Sequence, residues 1–171
     1  MKKLLWSLGP LIFFLVSCAP SKYDLLDRFK PVCSGQSISN SSYYDANRSG
    51  SHPIVVILYE QDLGYINYTP YPSTTDSSTP RSFKQVELVA CIQRTKIEKS
   101  TCSYLDGDRT VYTSTYTINL FGARTGVILG TNRFTSEGTC PMFLSMSNDY
   151  LLDGPLDWQQ VDQWLLPFVE K

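Results

Sequence analysis

Four cysteines, Cys33, Cys91, Cys102 and Cys140, constrain this chain more than any other feature. A zinc site needs close pairs of cysteine or histidine, such as two cysteines separated by two residues. No such pair is present, and the sequence holds a single histidine, His52. Spacing therefore argues against a metal, and no cofactor is expected. An even set of cysteines in an exported chain points to disulfides instead. Four cysteines permit three pairings. Val86 to Arg94 and Ile97 to Tyr104 read as two strands of a hairpin turning near Lys96, which would set Cys91 opposite Cys102. That pairing is favoured, and Cys33 with Cys140 then follows by elimination. The second bridge would close a long loop and contribute about 2 to 5 kcal/mol. The other two pairings stay open.

Export is itself a reading of the N-terminus. Met1-Lys2-Lys3 precedes an apolar run from Leu4 to Val16, the layout of a secretory signal. The run is too short to cross a bilayer comfortably as a helix. It leads into Leu15-Val16-Ser17-Cys18, which resembles the bacterial lipobox. The resemblance implies cleavage before Cys18, a diacylglycerol on its thiol, and acylation of the palmitate type. At about 0.8 kcal/mol per buried methylene, two or more chains would hold the protein stably on a membrane. Ala19 in place of aspartate implies the outer membrane where a cell has two. The competing reading is an ordinary signal peptide cut near Ala19. The expected organisation is a signal over residues 1–17, a lipidated tether over 18–32 and one extracytoplasmic domain over 33–171.

The sequence of 171 residues suits a single domain. With 42% apolar and 18% charged residues it has material for a core. Loss of Lys2 and Lys3 with the signal leaves 13 basic against 16 acidic residues, a mature net charge of −3. The remaining Lys and Arg are scattered, so the basic stripe that neutralises phosphates is missing and nucleic acid is not an expected partner.

The hydropathy pattern predicts an α+β fold, an antiparallel sheet of about five strands covered by a C-terminal helix and bridged by disulfides. Ala19 to Lys30 reads as the tether, with one helical turn around Tyr23 to Phe29, and Ser34 to Ser51 as a loop carrying Tyr43 and Tyr44. Ile54 to Tyr59 is a continuous apolar run, a strand buried on both faces at the centre of the sheet. Thr69 to Arg81 holds three prolines among Ser and Thr and should be an exposed loop. Tyr43, Tyr44 and Tyr71 are the candidate interaction residues of these loops. Val111 to Phe121 alternates, with Thr113, Thr115, Thr117 and Asn119 on a wet face and Tyr112, Tyr116, Ile118 and Leu120 on a packed one. Ala123-Arg124-Thr125-Gly126 makes a turn, and Val127 to Thr135 returns. Pro155 to Glu170 places Leu156, Val161, Trp164, Leu165 and Phe168 on one helical stripe, with Asp157 early in the helix. Trp158 and Trp164 read as a plug over the sheet, and Pro167 should kink or end the helix.

Catalytic signals are sparse. A hydrolase triad would have to run through His52 alone, no Gly-x-Ser-x-Gly elbow occurs, and no phosphate loop is visible. Asp106-Gly107-Asp108 lacks the remaining ligands of a calcium loop and reads as a turn. Glu87, Glu98, Asp106, Asp108 and Glu137 could supply the two carboxylates of a glycosidase, but their spacing selects no pair, and solvated surface charge is the simpler reading. Taken in order, Cys33-Ser34-Gly35, His52-Pro53, Leu88-Val89-Ala90-Cys91, Cys102-Ser103-Tyr104, Ala123-Arg124-Thr125-Gly126, Cys140-Pro141 and Trp164-Leu165 resemble a domain of uncharacterised bacterial lipoproteins and exported proteins. The resemblance implies a shared fold and no activity. The expected function is a non-catalytic binding or assembly module of the cell envelope, partnered by the membrane through Cys18 and by another envelope protein. A small envelope hydrolase, using paired carboxylates or His52 with a tyrosine, is the alternative.

Overall fold

A computed structural model describes residues 27–60, 64–70, 82–143 and 149–171. The signal, Cys18 and most of the tether lie outside the described residues, as do Tyr71 and nearly all of the Thr69 to Arg81 segment. Five strands, β1 (Ile54–Glu60), β2 (Gly64–Pro70), β3 (Leu88–Tyr104), β4 (Gly107–Gly122) and β5 (Ile128–Glu137), form one sheet in the order β2-β1-β3-β4-β5. An α-helix of twelve residues, α1 (Trp158–Val169), follows near the C-terminus. The fold is α+β, but the sheet is mixed rather than antiparallel, because β1 and β3 run parallel from Ile54 beside Leu88 to Glu60 beside Arg94. The connection that makes this possible is the excursion through β2, which hydrophobic patterning did not mark as a strand.

The largest departure from the sequence reading is at Lys96. No turn forms there; β3 continues for 17 residues, about 56 Å at the usual rise per residue. It pairs antiparallel with β4 as far as Tyr104 beside Gly107, with one irregularity between Glu98 and Ser100. Lys96 and Ile97 are β-compatible residues in a stretch without Gly, Pro, Asn or Asp, so the chain has no means to reverse. The turn lies instead at Leu105-Asp106, before Gly107 with φ 124°.

This moves the disulfides. Cys91 and Cys102 lie on one strand, eleven residues apart, and cannot meet. The bridges are Cys33–Cys91 and Cys102–Cys140, with Cα separations of 5.6 and 5.7 Å. Both fall within the range that unstrained disulfides occupy.

Side-chain alternation puts a core on each face of the sheet. On one face Ile54 and Val56 of β1, Leu88, Ala90 and Ile92 of β3, and Tyr116, Ile118 and Leu120 of β4 meet Val161, Leu165 and Val169 of α1. These three helix residues recur every four positions and so share one stripe. Trp158 and Trp164 pack against this cluster. Asp157 is the N-cap, its carboxylate accepting from the amides of Gln159 and Gln160 at 2.9 and 3.4 Å. Pro167 does not stop the helix, which runs on to Val169 with the proline in its last turn. On the other face Val55, Ile57, Val89, Cys91 and Phe121 are covered by the N-terminal segment through Phe29 and Val32. Both residues are fully buried, so folded chain reaches back into the stretch read as tether. β1 is thus buried on both sides, as its apolar run predicts, although β3 holds the centre of the sheet.

A third, smaller cluster of Cys102, Val111 and Leu152 steadies the far end of the β3–β4 hairpin. The Tyr104 hydroxyl donates to the Pro141 carbonyl at 2.9 Å, and the Cys102–Cys140 bridge fixes the same segment. Gly138 permits this seam: a Cβ there would overlap the Leu152 carbonyl and stand 2.7 Å from that of Tyr112.

Candidate functional site

His52 and Glu87 were candidates for chemistry, and the structure joins them. Pro53 accepts the amides of Glu87 and Leu88 at 2.9 and 3.2 Å, which brings the entry of β1 beside the entry of β3. Glu87 Oε2 stands 2.7 Å from His52 Nδ1, and Arg48 Nη2 donates to Glu87 Oε1 at 2.6 Å. Nδ1 therefore carries the proton that it donates to the carboxylate, and Arg48 Nη2, 3.0 Å from the same nitrogen, is a neighbour and not its donor. His52 Nε2 faces the Arg48 carbonyl at 3.2 Å, and the Tyr44 ring meets the imidazole edge-on at 4.8 Å. Burial, followed by the charges of Glu87 and Asp45, pushes the Tyr44 phenol above its ordinary value of 10.0.

His52 is fully buried, with Nδ1 bonded to Glu87 and Nε2 turned to the Arg48 carbonyl, so this cluster clamps the 48–53 segment to β3 and offers nothing to a substrate. Glu87, only 7% exposed, is not the solvated charge expected of it. The remaining carboxylates are dispersed. Lys99 donates to Glu137, holding that carboxyl below the usual range, and Asp106 pairs with Arg109. No cluster of metal-ligating side chains occurs among the described residues.

The open half of the sheet carries a different chemistry. Register places Tyr59 of β1 beside Gln93 of β3, Gln93 beside Thr117 of β4, and Thr117 beside Arg133 of β5. The period of two puts all four on the face opposite α1. At about 4.8 Å between strands, the row is roughly 14 Å long. The adjacent rows are Ile57, Cys91, Asn119 and Thr131 on one side, and Thr95, Thr115 and Thr135 on the other. The N-terminal segment covers the apolar rows and ends at Cys33, so the polar rows are left open beyond it. Where cover and open face meet lies a pocket of about 180 Å³. Ile57 and the Cys33–Cys91 bridge line its apolar part, and Tyr59, Gln93 and Asn119 line the rest.

Thr131 Oγ1 donates to Asn119 Oδ1 at 2.8 Å, which fixes the carboxamide and leaves Nδ2 as a donor. Arg133 is exposed and makes no ion pair among the described residues. Among the described side chains the face thus presents two carboxamides, a ladder of threonine hydroxyls, the Tyr59 ring and one available cation. The wet threonine face of β4 is legible from alternation. Tyr59, Gln93 and Arg133 are not, because only register across four strands aligns them.

The loop tyrosines take a separate position. Tyr43 is 63% exposed and lines, with Tyr44, Arg124 and Val127, a second pocket of about 160 Å³. Tyr44 is committed at its other side to His52, and Tyr71 lies outside the described residues. No protein-family model, curated protein or solved structure matches this chain.

Proposed function

We propose that this chain is a non-catalytic binding module of the cell envelope, held on a membrane by lipid on Cys18, which takes its ligand on the open polar face of the sheet. The observation that carries the binding reading is the row of Tyr59, Gln93, Thr117 and Arg133, contiguous with a pocket at the edge of the covered half. Convergent polar groups beside a concave site are the usual form of a specific ligand surface. The long strand β3, tied through Cys91 and Cys102 by the two disulfides and paired along its length with β4, gives that surface a rigid floor. Two disulfides suit an oxidising compartment outside the cytoplasm. Among the described residues no helix is long and apolar enough to cross a membrane, and a lipid on Cys18 supplies attachment without one.

Two substitutions test the two halves of the proposal. Cys18→Ser should move the protein from the membrane fraction to the soluble fraction, and persistence in the membrane would refute the lipid anchor. Thr117→Trp fills the middle of the row without touching either core. The purified variant should lose co-sedimentation with envelope fragments that retain the parent chain, and equal retention would refute the face as the binding surface.

A further inference from the structure

We infer that the ligand of this face is an acidic polysaccharide, a chain of sugar rings bearing carboxylates; the inference rests on the binding reading above. Each strand of the row contributes one group of different character, and together they select this chemistry. Gln93 and Asn119 present carboxamides that both donate and accept, and Thr117, Thr115 and Thr135 present hydroxyls that do the same. Neighbouring sugar hydroxyls are matched donor–acceptor partners for such groups. Tyr59 gives the pocket an aromatic wall against which the apolar C–H face of one ring can lie. Arg133, at the far end of the row, is a planar cation with no acid paired to it among the described residues, suited to a carboxylate through two parallel N–H donors.

Other ligand classes fit the same surface worse. An extended peptide would bind along a strand edge and ask for apolar pockets at alternate residues. Among the residues whose side chains are described, the open rows supply Tyr59 and a far-end Ile97 instead. A nucleic acid would need several cations along its phosphates, and the row has one. A lipid or aromatic ligand would need a dry cavity, whereas this pocket opens onto hydroxyls and amides. The row crosses the strands at right angles, so the sugar chain lies from β1 to β5, one ring in the pocket beside Tyr59 and the carboxylate of a ring further along the chain at Arg133.

The test is binding of the detergent-solubilised full chain to oligogalacturonate, to the same oligomer with its carboxyls methyl-esterified, and to polyglutamate. Oligogalacturonate should bind and weaken with salt, the ester should bind roughly two- to fivefold more weakly, and polyglutamate should not compete, the factor being that of one exposed charge-assisted pair. Arg133→Gln should abolish the preference for acid over ester, Arg133→Lys should keep part of it, and Gln93→Leu should weaken both oligomers equally. Competition by polyglutamate, a preference that survives Arg133→Gln, or no binding of either oligomer would overturn the inference. If acid and ester bind alike and Thr117→Trp abolishes both, the acidic ligand fails while the face stands. If acid binds and Thr117→Trp leaves it unchanged, the face itself fails.

Discussion

Replacing the Cys102–Cys140 bridge by Cys102→Ala with Cys140→Ser measures what holds the outer half of the long hairpin. The bridge closes a loop of sequence separation 38. Loop-closure entropy of the unfolded chain, about 2.1 + 1.5R ln n in cal/mol/K, then gives roughly 3.9 kcal/mol at 25 °C. Alanine at 102 keeps the buried position apolar, since Cys102 is 4% exposed, and serine at 140 suits an exposed one. Domains of this size are stable by only about 5 to 15 kcal/mol, so a loss near 4 is large. Urea unfolding by linear extrapolation should show it, with a steeper slope because the uncrosslinked unfolded state exposes more surface. The Cys33–Cys91 bridge closes 58 residues and by the same relation contributes about 4.2 kcal/mol. The two loops share no residue, so removing both should cost the sum within about 0.5 kcal/mol. Single substitution of Cys140 should leave the thiol of Cys102, and no other, reactive on unfolding. A loss under about 1 kcal/mol, or a free thiol at Cys33 or Cys91, would refute this account of the bridges.

Further consequences follow from particular residues. Glu87→Leu removes a carboxylate shared by Arg48 and His52 inside the fold and should cost about 3 to 5 kcal/mol in urea unfolding, against little for the exposed Asp108→Asn. Asp157→Ala removes the N-cap of α1 and should cost about 0.5 to 2 kcal/mol, with Asp157→Ser recovering most of it. Because the folded phenol of Tyr44 lies above its unfolded value, the folded state holds that proton longer; stability is full below about pH 10 and falls as pH rises past it. Thermal melts of Tyr44→Phe across that window should show a shallower alkaline decline than the parent chain, and an identical decline would remove Tyr44 from the account.

Much of the fold was legible because local patterning and tertiary environment agree. The unbroken run Ile54 to Ile57 is buried on both faces, the alternation of β4 sorts threonines from the core, and Val161 and Leu165 of the expected stripe dock α1, with Leu156, Trp164 and Phe168 packed at its edge and Val169, outside that stripe, buried beside them. The misreadings arise where a short window carries no information about a distant partner. The lack of a turn residue near Lys96 is only a weak local signal, and what holds the strand straight is β4, whose matching length pairs with β3 throughout. Placing one turn wrongly then reversed both disulfides, since the pairing rested on that hairpin. Pro167 is tolerated because it falls in the last turn, where the helix loses little by it. Glu87 looked like a surface charge because its partners, Arg48 and His52, come from 39 and 35 residues away. The candidate site was the least legible part, being a row built from one residue on each of four strands.

The binding face is tested most directly by titrating soluble envelope fragments into the isotope-labelled, detergent-solubilised chain and following backbone and side-chain amide resonances. The account predicts shifts concentrated at Gln93, Thr117, Asn119, Thr131 and Arg133, with the two carboxamides prominent. Shifts concentrated instead at Tyr43, Tyr44 and Arg124 would contradict it and assign binding to the pocket beneath the tyrosine loop.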